Sequence, residues 1–451
     1  MSHWAEDAIF YHVYPLGFCG APVSNDFTSE PECRLEKLLE WAGHLQQLGI
    51  TALYLGPVFE SSTHGYDTVD YFTVDRRLGT NEGLKRIIEA FHGIGIKVIL
   101  DGVFNHVGRD FWAFKDLQQN GEDSTFKSWF SGLDFGRRSP YQDPFSYNAW
   151  NGCYNLVKLD LANPDVKDHL FRAVQTWIDG FSIDGLRLDA ADCLDLGFIS
   201  GLSAKCKRLQ PDFWLMGEVI NGDYGRWMRV GLDSVTNYEC YKGLWSSHND
   251  GNLFEIAYSL NRQFGEQGIY KNMPLYNFAD NHDVDRVASM LNNKTHLATL
   301  YTLLFTMPGI PSIYYGSEWG IEGKKIKGSD ANLRPSLDLD GMMSQSPEPD
   351  LPGFLSRLSC IRRSSQALRR GNYRQLHVNR QQFAFARWWE DGSVIVAVNT
   401  ADQPAVIAFA VPAGFGTQFE DLLNDREQFC ASSGILKLDL APAWGRILSS
   451  C

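Results

Sequence analysis

Two hydrophobic patterns alternate along the first 370 residues of the chain. Uninterrupted apolar runs are typical of parallel strands buried on both faces, and apolar residues every three or four positions are typical of amphipathic helices. Asn163 and Pro164, for example, mark the N-cap and first position of a helix whose apolar face carries Val166, Leu170 and Val174. The predicted strands are Ile9–Pro15, Ala52–Val58, Lys97–Val103, Gly185–Ala190, Phe213–Val219, Ser234–Cys240, Leu275–Asp280 and Ile310–Tyr315.

Eight strand-helix units over about 350 residues indicate an α/β fold of the (β/α)8 TIM barrel type. A doubly wound open sheet is the structural alternative, but no GxGxxG motif follows the first strand. The segment from His106 to about Asp160 interrupts the alternation after the third strand and is rich in Asp, Gly, Ser and aromatic residues. We therefore assign 1–106 and 161–370 to the barrel and 107–160 to an inserted subdomain, expected to be a loop rather than a helix.

From about Gly371 onward the pattern changes to short strands separated by turn residues. This texture predicts a C-terminal antiparallel β-sandwich domain over 371–451. The strands expected there are Gln382–Trp389, Ser393–Asn399, Ala405–Val411 and Leu436–Leu440.

The charge balance restricts the classes of partner. Forty-one basic residues against 54 acidic ones give a net charge of −13, which disfavours nucleic acid and anionic membrane surfaces and suits a neutral small-molecule substrate. Leu297 to Tyr315 is uncharged and nearly long enough to span a membrane. Pro308, Gly309 and Pro311 interrupt it, so a buried helix followed by a strand is the better interpretation. Aromatic residues make up 13% of the chain, which suits either core packing or the stacking of sugar rings.

The nine cysteines include no CxxC pair and no metal-ligand spacing. We expect mostly buried thiols in a reducing compartment, although Cys19 and Cys33 flank one loop and could form a bridge. The N-terminus lacks a basic region followed by an apolar run, so no signal peptide is expected. The sequence therefore predicts a cytoplasmic protein.

Charged and polar residues follow four of the predicted strands directly. Barrel enzymes place catalytic side chains where strands meet the following loops, so these residues should share one rim. One such residue is more often a structural ion pair, whereas four strands that bring acid, His or Arg to the same rim favour an active site. The four segments are 101–106, 187–189, 215–218 and 280–283.

Those segments carry a family resemblance. DGVFNH (101–106), GLRLDAAD (185–192), LMGEV (215–219) and FADNHD (278–283) resemble the four sequence regions of the α-amylase family of glycoside hydrolases, in the same order and at similar spacing. HGYDTVDY (64–71) and YHVYP (11–15) also match. The likeness covers essentially the whole chain. Within the family it is greatest to neopullulanases and cyclomaltodextrinases, through 65–116 and VKLDLANPDV (157–166).

The resemblance implies three catalytic carboxylates. Asp189 would be the nucleophile, Glu218 the general acid/base, and Asp283 the carboxylate that holds sugar hydroxyls and favours the transition state. Retaining hydrolysis needs one carboxylate to attack the anomeric carbon and one carboxylic acid to protonate the leaving oxygen, about 5–5.5 Å apart. Glu218 should be protonated at rest and Asp189 ionised. Arg187 lies two residues before Asp189 in a strand, on the same side, and should keep it charged.

The resemblance also implies sugar-binding residues. His106 and His282 would bind hydroxyls of the attacked sugar; a zinc pair is the rival interpretation, but no third ligand accompanies them. Tyr66 would stack on that sugar, or simply pack. Asp330 and Arg334, in SDANLRPS, would contact the next sugar outward.

The chain also departs from its relatives. Their extra N-terminal β domain is not expected, because the first barrel strand begins near Ile9, so their cyclodextrin preference and dimer do not follow. Ile220 and Asn221 stand where relatives commonly have Trp and His, and Asp192 where Asn or Lys is usual. Asn105 matches a position that often binds calcium, yet too few oxygen ligands accompany it to assign an ion, and no cofactor is expected.

We expect a retaining α-glucoside hydrolase acting on maltooligosaccharides, cyclodextrins or pullulan-type substrates. It would cleave α-1,4 linkages, and cleavage of α-1,6 linkages as well is the alternative that the sequence does not decide. A transglycosylase on the same scaffold is the first rival, since it would use the same carboxylates. The second is a catalytically silent sugar-binding protein, which would be marked by loss of a carboxylate; all three are present.

Overall fold

The computed structural model describes residues 3–390 and 392–450 of the 451-residue chain. The strands of the described chain are β1 Phe10–Val13, β2 Ala52–Leu55, β3 Lys97–Gly102, β4 His106–Gly108, β5 Ala149–Trp150, β6 Cys153–Lys158, β7 Gly185–Leu188, β8 Trp214–Gly217, β9 Ser234–Val235, β10 Tyr276–Phe278, β11 Ile310–Tyr314, β12 Asn372–Val378, β13 Gln382–Trp389, β14 Gly392–Asn399, β15 Ala405–Ala410, β16 Gln418–Asp421, β17 Gln428–Cys430, β18 Ile435–Leu440 and β19 Trp444–Ser450.

The α-helices of the same residues lie mainly between the barrel strands. They are α1 Pro15–Phe18, α2 Lys37–Glu40, α3 Ala42–Leu48, α4 Asn81–Gly93, α5 Trp112–Asn120, α6 Pro164–Phe181, α7 Leu196–Leu209, α8 Gly225–Met228, α9 Tyr238–Asn249, α10 Phe254–Phe264, α11 Val287–Met290, α12 His296–Thr306, α13 Leu339–Gln345, α14 Leu351–Ser364 and α15 Gln366–Arg370.

Eight parallel strands form the barrel, in the order β10-β11-β1-β2-β3-β7-β8-β9. A parallel bridge between Thr236 and Tyr276 joins the two end strands, and the Asn237 N–H donates to the Tyr276 carbonyl at 2.8 Å. The sheet is therefore closed at its edge, which confirms the predicted (β/α)8 fold class and excludes the open doubly wound sheet.

All eight predicted strands are present, each shorter than its predicted range, and the sixth is shortened most. Strand β9 ends at Val235, and the predicted extension to Cys240 is wrong. Asn237 caps helix α9, since its side chain accepts the Cys240 N–H at 3.2 Å, so the chain turns into a helix there. The uncharged segment divides as predicted into α12 and β11. Within the described part of the chain, the model contains no helix with the length and apolar character needed to cross a membrane.

The inserted segment follows β3 and has its own small sheet, in the order β4-β6-β5. It is not purely a loop, as the sequence had suggested, because it contains helix α5. Ala113, Phe114 and Leu117 are buried on one face of that helix. Three apolar positions over nine residues are enough to hold a short helix against a core, but too few to distinguish it from the aromatic-rich loop around it.

The C-terminal segment contains a six-stranded sheet, β12-β13-β14-β19-β16-β17, and a two-stranded antiparallel pair, β15-β18. A separate apolar cluster fills the space between them, including Ile395, Ile407, Leu438 and Leu448. This arrangement confirms the predicted antiparallel β-sandwich.

In the N-terminal part of the barrel, Cys19 and Cys33 are both free thiols, so the disulfide considered between them is not formed.

Candidate active site

The predicted catalytic residues meet at the carboxyl-terminal rim of the barrel. Arg187 lies within β7, and Asp189 follows the end of that strand. Glu218 follows β8, and Asp283 lies in the loop after β10. Loops at this end of a TIM barrel form its active sites, because the parallel strands all deliver their last residues to the same rim.

One guanidinium joins three carboxylates at the base of this rim. The side chain of Arg187 is 3% exposed. Its Nη1 donates to Asp101 Oδ1 and Oδ2 at 2.8 and 2.9 Å and to Asp189 Oδ1 at 2.9 Å, while Nη2 lies 2.8 Å from Glu218 Oε2. Burial opposes its charge, but Asp101 and Glu218 outweigh burial and raise the pKa of Arg187 well above the ordinary value. The guanidinium thus stays charged and holds Asp189 and Glu218 side by side.

The protonation of Asp189 differs from the sequence expectation. Burial is the largest influence and raises the pKa of the Asp189 carboxyl well above its ordinary value; Glu218, Asp101 and Asp283 raise it further, and Arg187 only partly counteracts them. The ion pair alone therefore does not keep Asp189 as acidic as we expected.

Glu218 is held from three sides. Besides Arg187, the main-chain N–H of Ala190 donates to Oε2 at 3.2 Å, and the Tyr238 hydroxyl donates to Oε1 at 3.3 Å. Ala190 has φ +44°, a left-handed conformation that residues with a side chain seldom adopt. The strain turns this N–H toward Glu218 directly after Asp189, which is typical of backbone strain at functional sites.

Asp283 lies across the rim in a cationic setting. Its side chain is 35% exposed, lies 3.0 Å from His282 Nε2 and accepts from Arg334 Nη2 at 2.8 Å. Burial raises the pKa of Asp283, but His282, Arg334 and Arg187 outweigh burial, so the pKa lies well below its ordinary value. Asp283 is therefore an ionised acceptor, ready for hydroxyl groups.

Asp330 and Arg334 belong to the same network. Arg334 Nη2 also donates to Asp330 Oδ2 at 3.1 Å, and its Nε donates to the His282 carbonyl at 2.9 Å. The guanidinium carbon lies 4.4 Å from the Tyr14 ring centre. The loop SDANLRPS thus reaches Asp283 through Arg334.

Tyr66 packs flat against His282, with ring centres 5.5 Å apart and planes 10° apart. Its hydroxyl donates to Asp101 Oδ2 at 3.2 Å and also hydrogen-bonds His282 Nε2. Tyr66 therefore joins the base of the site to the Asp283 side of the rim.

His106 faces Asp189 from β4, the first strand of the inserted segment. Its Nε2 lies 4.0 Å from Asp189 Oδ2 and has no hydrogen-bond partner. Asn105 Nδ2 lies 3.2 Å from Nδ1, and as a donor there it leaves the His106 proton on Nε2. Burial lowers the pKa of the His106 ring to about 4, so the ring is a neutral donor near neutral pH.

The donor set does not fit a metal ion. Among residues 3–390 and 392–450, no group of three or more His, Cys, Asp or Glu side chains is placed to hold one, and His106 and His282 have no third ligand of these types. Asn105 Oδ1 is buried without a partner, but the side chains around it supply no carboxylate cluster for calcium.

The three site residues at which this chain differs from its relatives are exposed to solvent. Asp192 and Asn221 are exposed, and Ile220 is 48% exposed beside Glu218 in the chain. The outer edge of the rim on this side is therefore solvated and carries no aromatic ring at these three positions.

Several residues of the site were missed by sequence reasoning. Asp101 and Asn281 lie in segments that the sequence selected but were given no role there. Tyr238 and the main chain of Ala190 reach Glu218 directly, and Asn281 Nδ2 donates to the Tyr238 hydroxyl at 3.2 Å; no local sequence pattern identifies these contacts.

Residues 35–346 match the family model described as Alpha amylase, catalytic domain. The chain belongs to the alpha-amylase family. It is 31% identical to Cyclomaltodextrinase of Bacillus sp over 422 residues, which cover 88% of this chain and 73% of that protein. It is also 31% identical to Neopullulanase 2 of Thermoactinomyces vulgaris over 470 residues, covering 99% and 78%. This confirms that the chain is an alpha-amylase-family glycoside hydrolase similar to cyclomaltodextrinases and neopullulanases.

A solved structure supports the same family fold. The cyclic alpha-maltosyl-(1→6)-maltose hydrolase of Arthrobacter globiformis superposes with a TM-score of 0.84 at 25% identity and covers 100% of both chains. The two chains thus share one fold over their full length.

Proposed function

We propose that this protein is a retaining α-glucoside hydrolase that cleaves α-1,4 linkages, with α-1,6 linkages as a second target, in maltooligosaccharides, cyclodextrins or pullulan-type substrates. The observation that carries the proposal is the guanidinium of Arg187, which contacts Asp189 at 2.9 Å and Glu218 at 2.8 Å. Two carboxyls held by one guanidinium suit double displacement, which needs them about 5–5.5 Å apart.

The reacting form of the site carries one proton, on Glu218. In the first step the Asp189 carboxylate, the form that burial disfavours, attacks the anomeric carbon while the Glu218 carboxylic acid protonates the leaving glycosidic oxygen. A glycosyl ester forms on Asp189 and the shortened sugar departs. In the second step Glu218, now a carboxylate, accepts a proton from water, whose oxygen attacks the anomeric carbon and releases Asp189. The three contacts on Glu218 hold it beside the position that the leaving glycosidic oxygen vacates in the first step and the attacking water occupies in the second.

The remaining site residues position the sugar. Asp283 accepts hydroxyl protons, and the unpartnered Nε2–H of His106 donates to a hydroxyl beside the bond under attack. His282 acts with them and Tyr66 supplies the stacking surface, while Asp330 and Arg334 contact the next sugar outward. Each of these roles suits the neutral, polyhydroxylated substrate that a net charge of −13 favours.

A product profile tests the proposal. The purified protein would be incubated with maltotriose, β-cyclodextrin, pullulan and panose, and products followed over time by chromatography. Shorter sugars alone, released with the α configuration in an early NMR spectrum, support retaining hydrolysis. An initial β-anomer would contradict it.

Transfer to another sugar is the competing reaction, and the exposed edge formed by Asp192, Ile220 and Asn221 bears on it. We assign hydrolysis, because an acceptor sugar finds no aromatic platform at these positions while water has free access. Early products longer than the substrate would favour the transglycosylase instead. No reaction with any of the four sugars would favour a silent binding protein.

We also propose that the protein works in the cytoplasm. Eight cysteines of the described chain are free thiols, and five of them, at positions 33, 153, 193, 360 and 430, are exposed, so the expectation of mostly buried thiols is wrong. Such thiols persist in a reducing compartment. Fractionation of the source cells would test this directly.

A further inference from the structure

The inserted segment presents one face of its small sheet to the catalytic centre. In the register of β4 and β6, His106 lies across from Lys158, and Val107 lies across from Val157. Ala149 of β5 also pairs with Val157, so Ala149 shares the face of Val107. The register shifts between Ala149 and Trp150, so Trp150 pairs with Cys153 and strand alternation does not carry across this irregularity. The position of Trp150 is therefore given by its side-chain contact.

Trp150 contacts His106 through its side chain. The rings of Trp150 and His106 have centres 5.7 Å apart, with planes inclined by 38°. His106 in turn lies 4.0 Å from Asp189. The His106 ring thus lies between Trp150 and Asp189, the carboxylate that attacks the substrate. The Trp150 indole is half-buried, so part of its surface is open to solvent.

The indole N–H has no hydrogen-bond partner. Trp150 Nε1 is shielded by protein and unpaired, and so is Nε2 of the adjacent His106. Shielded donors are normally paired, and an unpaired one in a native structure calls for an explanation. Two such donors on touching rings at the edge of a catalytic centre are explained together when a single ligand pairs both.

We propose that Trp150 is a substrate-binding and specificity residue, whose Nε1–H donates to a sugar hydroxyl adjacent to the one that His106 binds. The inference rests on the proposed function, because it takes a pyranose ring as the ligand. Vicinal hydroxyls suit two donors on adjacent rings, and the indole face covers the apolar side of the sugar. The inserted segment therefore contributes to binding through β5 as well as through His106.

The test uses Trp150→Phe, which keeps an aromatic ring but removes the N–H, and Trp150→Ala, which removes both. Trp112→Phe is the matched control, because Trp112 lies in the same inserted segment, is 42% exposed and packs on Phe126 and Trp129. Each substitution would be combined with Asp189→Asn, and maltotriose binding measured by calorimetry. The same single variants would be assayed for KM and kcat, with near-UV circular dichroism to verify the fold.

Loss of one hydrogen bond should weaken maltotriose binding about fivefold in Trp150→Phe, and Trp150→Ala should weaken it further. KM should rise by a similar factor with kcat nearly unchanged, because the contact is made equally in the ground and transition states. Binding by Trp150→Phe that equals binding by Trp112→Phe would overturn the role of Trp150. Hydrolysis is assayed separately, on the unaltered protein. If that protein does not hydrolyse the sugars, the proposed function is overturned, and the binding comparison between Trp150→Phe and Trp112→Phe still decides the role of Trp150.

Discussion

In this site a single guanidinium pairs with several carboxylates. Arg187 alone contacts Asp101, Asp189 and Glu218, so the positive charge at the base of the site is outnumbered. This imbalance, together with burial, explains the raised pKa of Asp189. The sequence motifs located these residues because each lies at a strand end. They could not predict the balance between burial and the ion pair, since that depends on how deeply the strands carry the side chains.

The nucleophile role is tested by Asp189→Asn, which should abolish turnover, lowering kcat by about 10⁴-fold or more, while sugar binding remains. A carboxamide cannot attack the anomeric carbon, but it occupies the same space. Kinetics with maltotriose and calorimetric titration with the same sugar would measure both. Normal activity in this variant would be incompatible with the assignment.

The raised pKa of Asp189 also predicts how stability varies with pH. A carboxyl whose folded pKa exceeds the unfolded value of about 3.9 favours the fold below that value, and this contribution is lost as pH rises through the folded pKa. Asparagine does not ionise, so Asp189→Asn does not lose this stability as the pH rises. The melting temperature of the variant should equal that of the unaltered protein near pH 4 and exceed it increasingly toward pH 8. Thermal melts across this range provide the measurement, with the exposed Asp192→Asn as control; a difference that does not change with pH would contradict the prediction.

Tyr238 should matter for turnover more than for binding. Burial raises the pKa of its hydroxyl well above the ordinary value, so the group remains a donor to Glu218 Oε1. Tyr238→Phe removes one of the three contacts that aim Glu218 and should lower kcat by about 3- to 10-fold with little change in KM.

The control for that variant is Tyr241→Phe in the same helix, because the Tyr241 hydroxyl contacts Met290 Sδ instead of the site. Steady-state kinetics on both variants would show whether the effect is specific. Equal kcat values for Tyr238→Phe and Tyr241→Phe would contradict the proposed role of Tyr238 in orienting Glu218.

At the scale of elements, prediction succeeded where a local signal exists. The Asn163 side chain accepts the N–H groups of Asp165 and Val166, as expected of the N-cap before α6. It failed at β9, where two residues of strand pass directly into the turn before α9. It also missed β12, β16, β17 and β19, because short or mixed-polarity strands are specified by pairing partners distant in the sequence.

Helix α12 ends on a buried arginine from another element. Arg387 of β13 is 1% exposed; it donates to the carbonyls of Thr306 at 2.6 Å, Gly371 at 2.9 Å and Asn372 at 3.2 Å. Arg387→Met leaves three carbonyls without this donor and should lower the free energy of unfolding by about 2–3 kcal/mol, with kcat/KM unchanged.

Urea denaturation would measure the change in stability, and Arg374→Met would be the control because Arg374 is exposed on the neighbouring strand β12. If Arg387→Met proved as stable as Arg374→Met, the cost of burying the guanidinium must cancel its three hydrogen bonds.

At the scale of the whole molecule, the three parts have different degrees of predictability. The barrel could be predicted because its strand-helix unit repeats and each strand is apolar on both faces. The inserted segment could be delimited but not described, since its sheet is formed by pairings such as His106 with Lys158 that no local pattern reveals. The assignment of residues to domains stays a proposal, because the apolar core does not stop at the proposed boundary.

That continuous core leads to a prediction about unfolding. Leu303 and Leu358 of the barrel helices belong to the same buried cluster as Val396 and Ile447 of the sandwich sheet. His296 Nε2 also hydrogen-bonds the Thr400 carbonyl at 3.0 Å across the two parts. Melting the sandwich would expose the apolar faces of α12 and α14 to water, so neither part gains by unfolding first.

We therefore expect one calorimetric transition, with equal calorimetric and van't Hoff enthalpies, although the chain is long enough for two domains to unfold in succession. The sharpest form of the test follows near-UV circular dichroism and the loss of maltotriose binding by Asp189→Asn over the same temperature range. If the barrel and the sandwich are coupled through this core, the two curves coincide, because the binding rim is lost when the sandwich is lost. Two separate transitions, with binding surviving the first, would mean that the contacts between α12 and the sandwich contribute little, and that the barrel holds its active site without them.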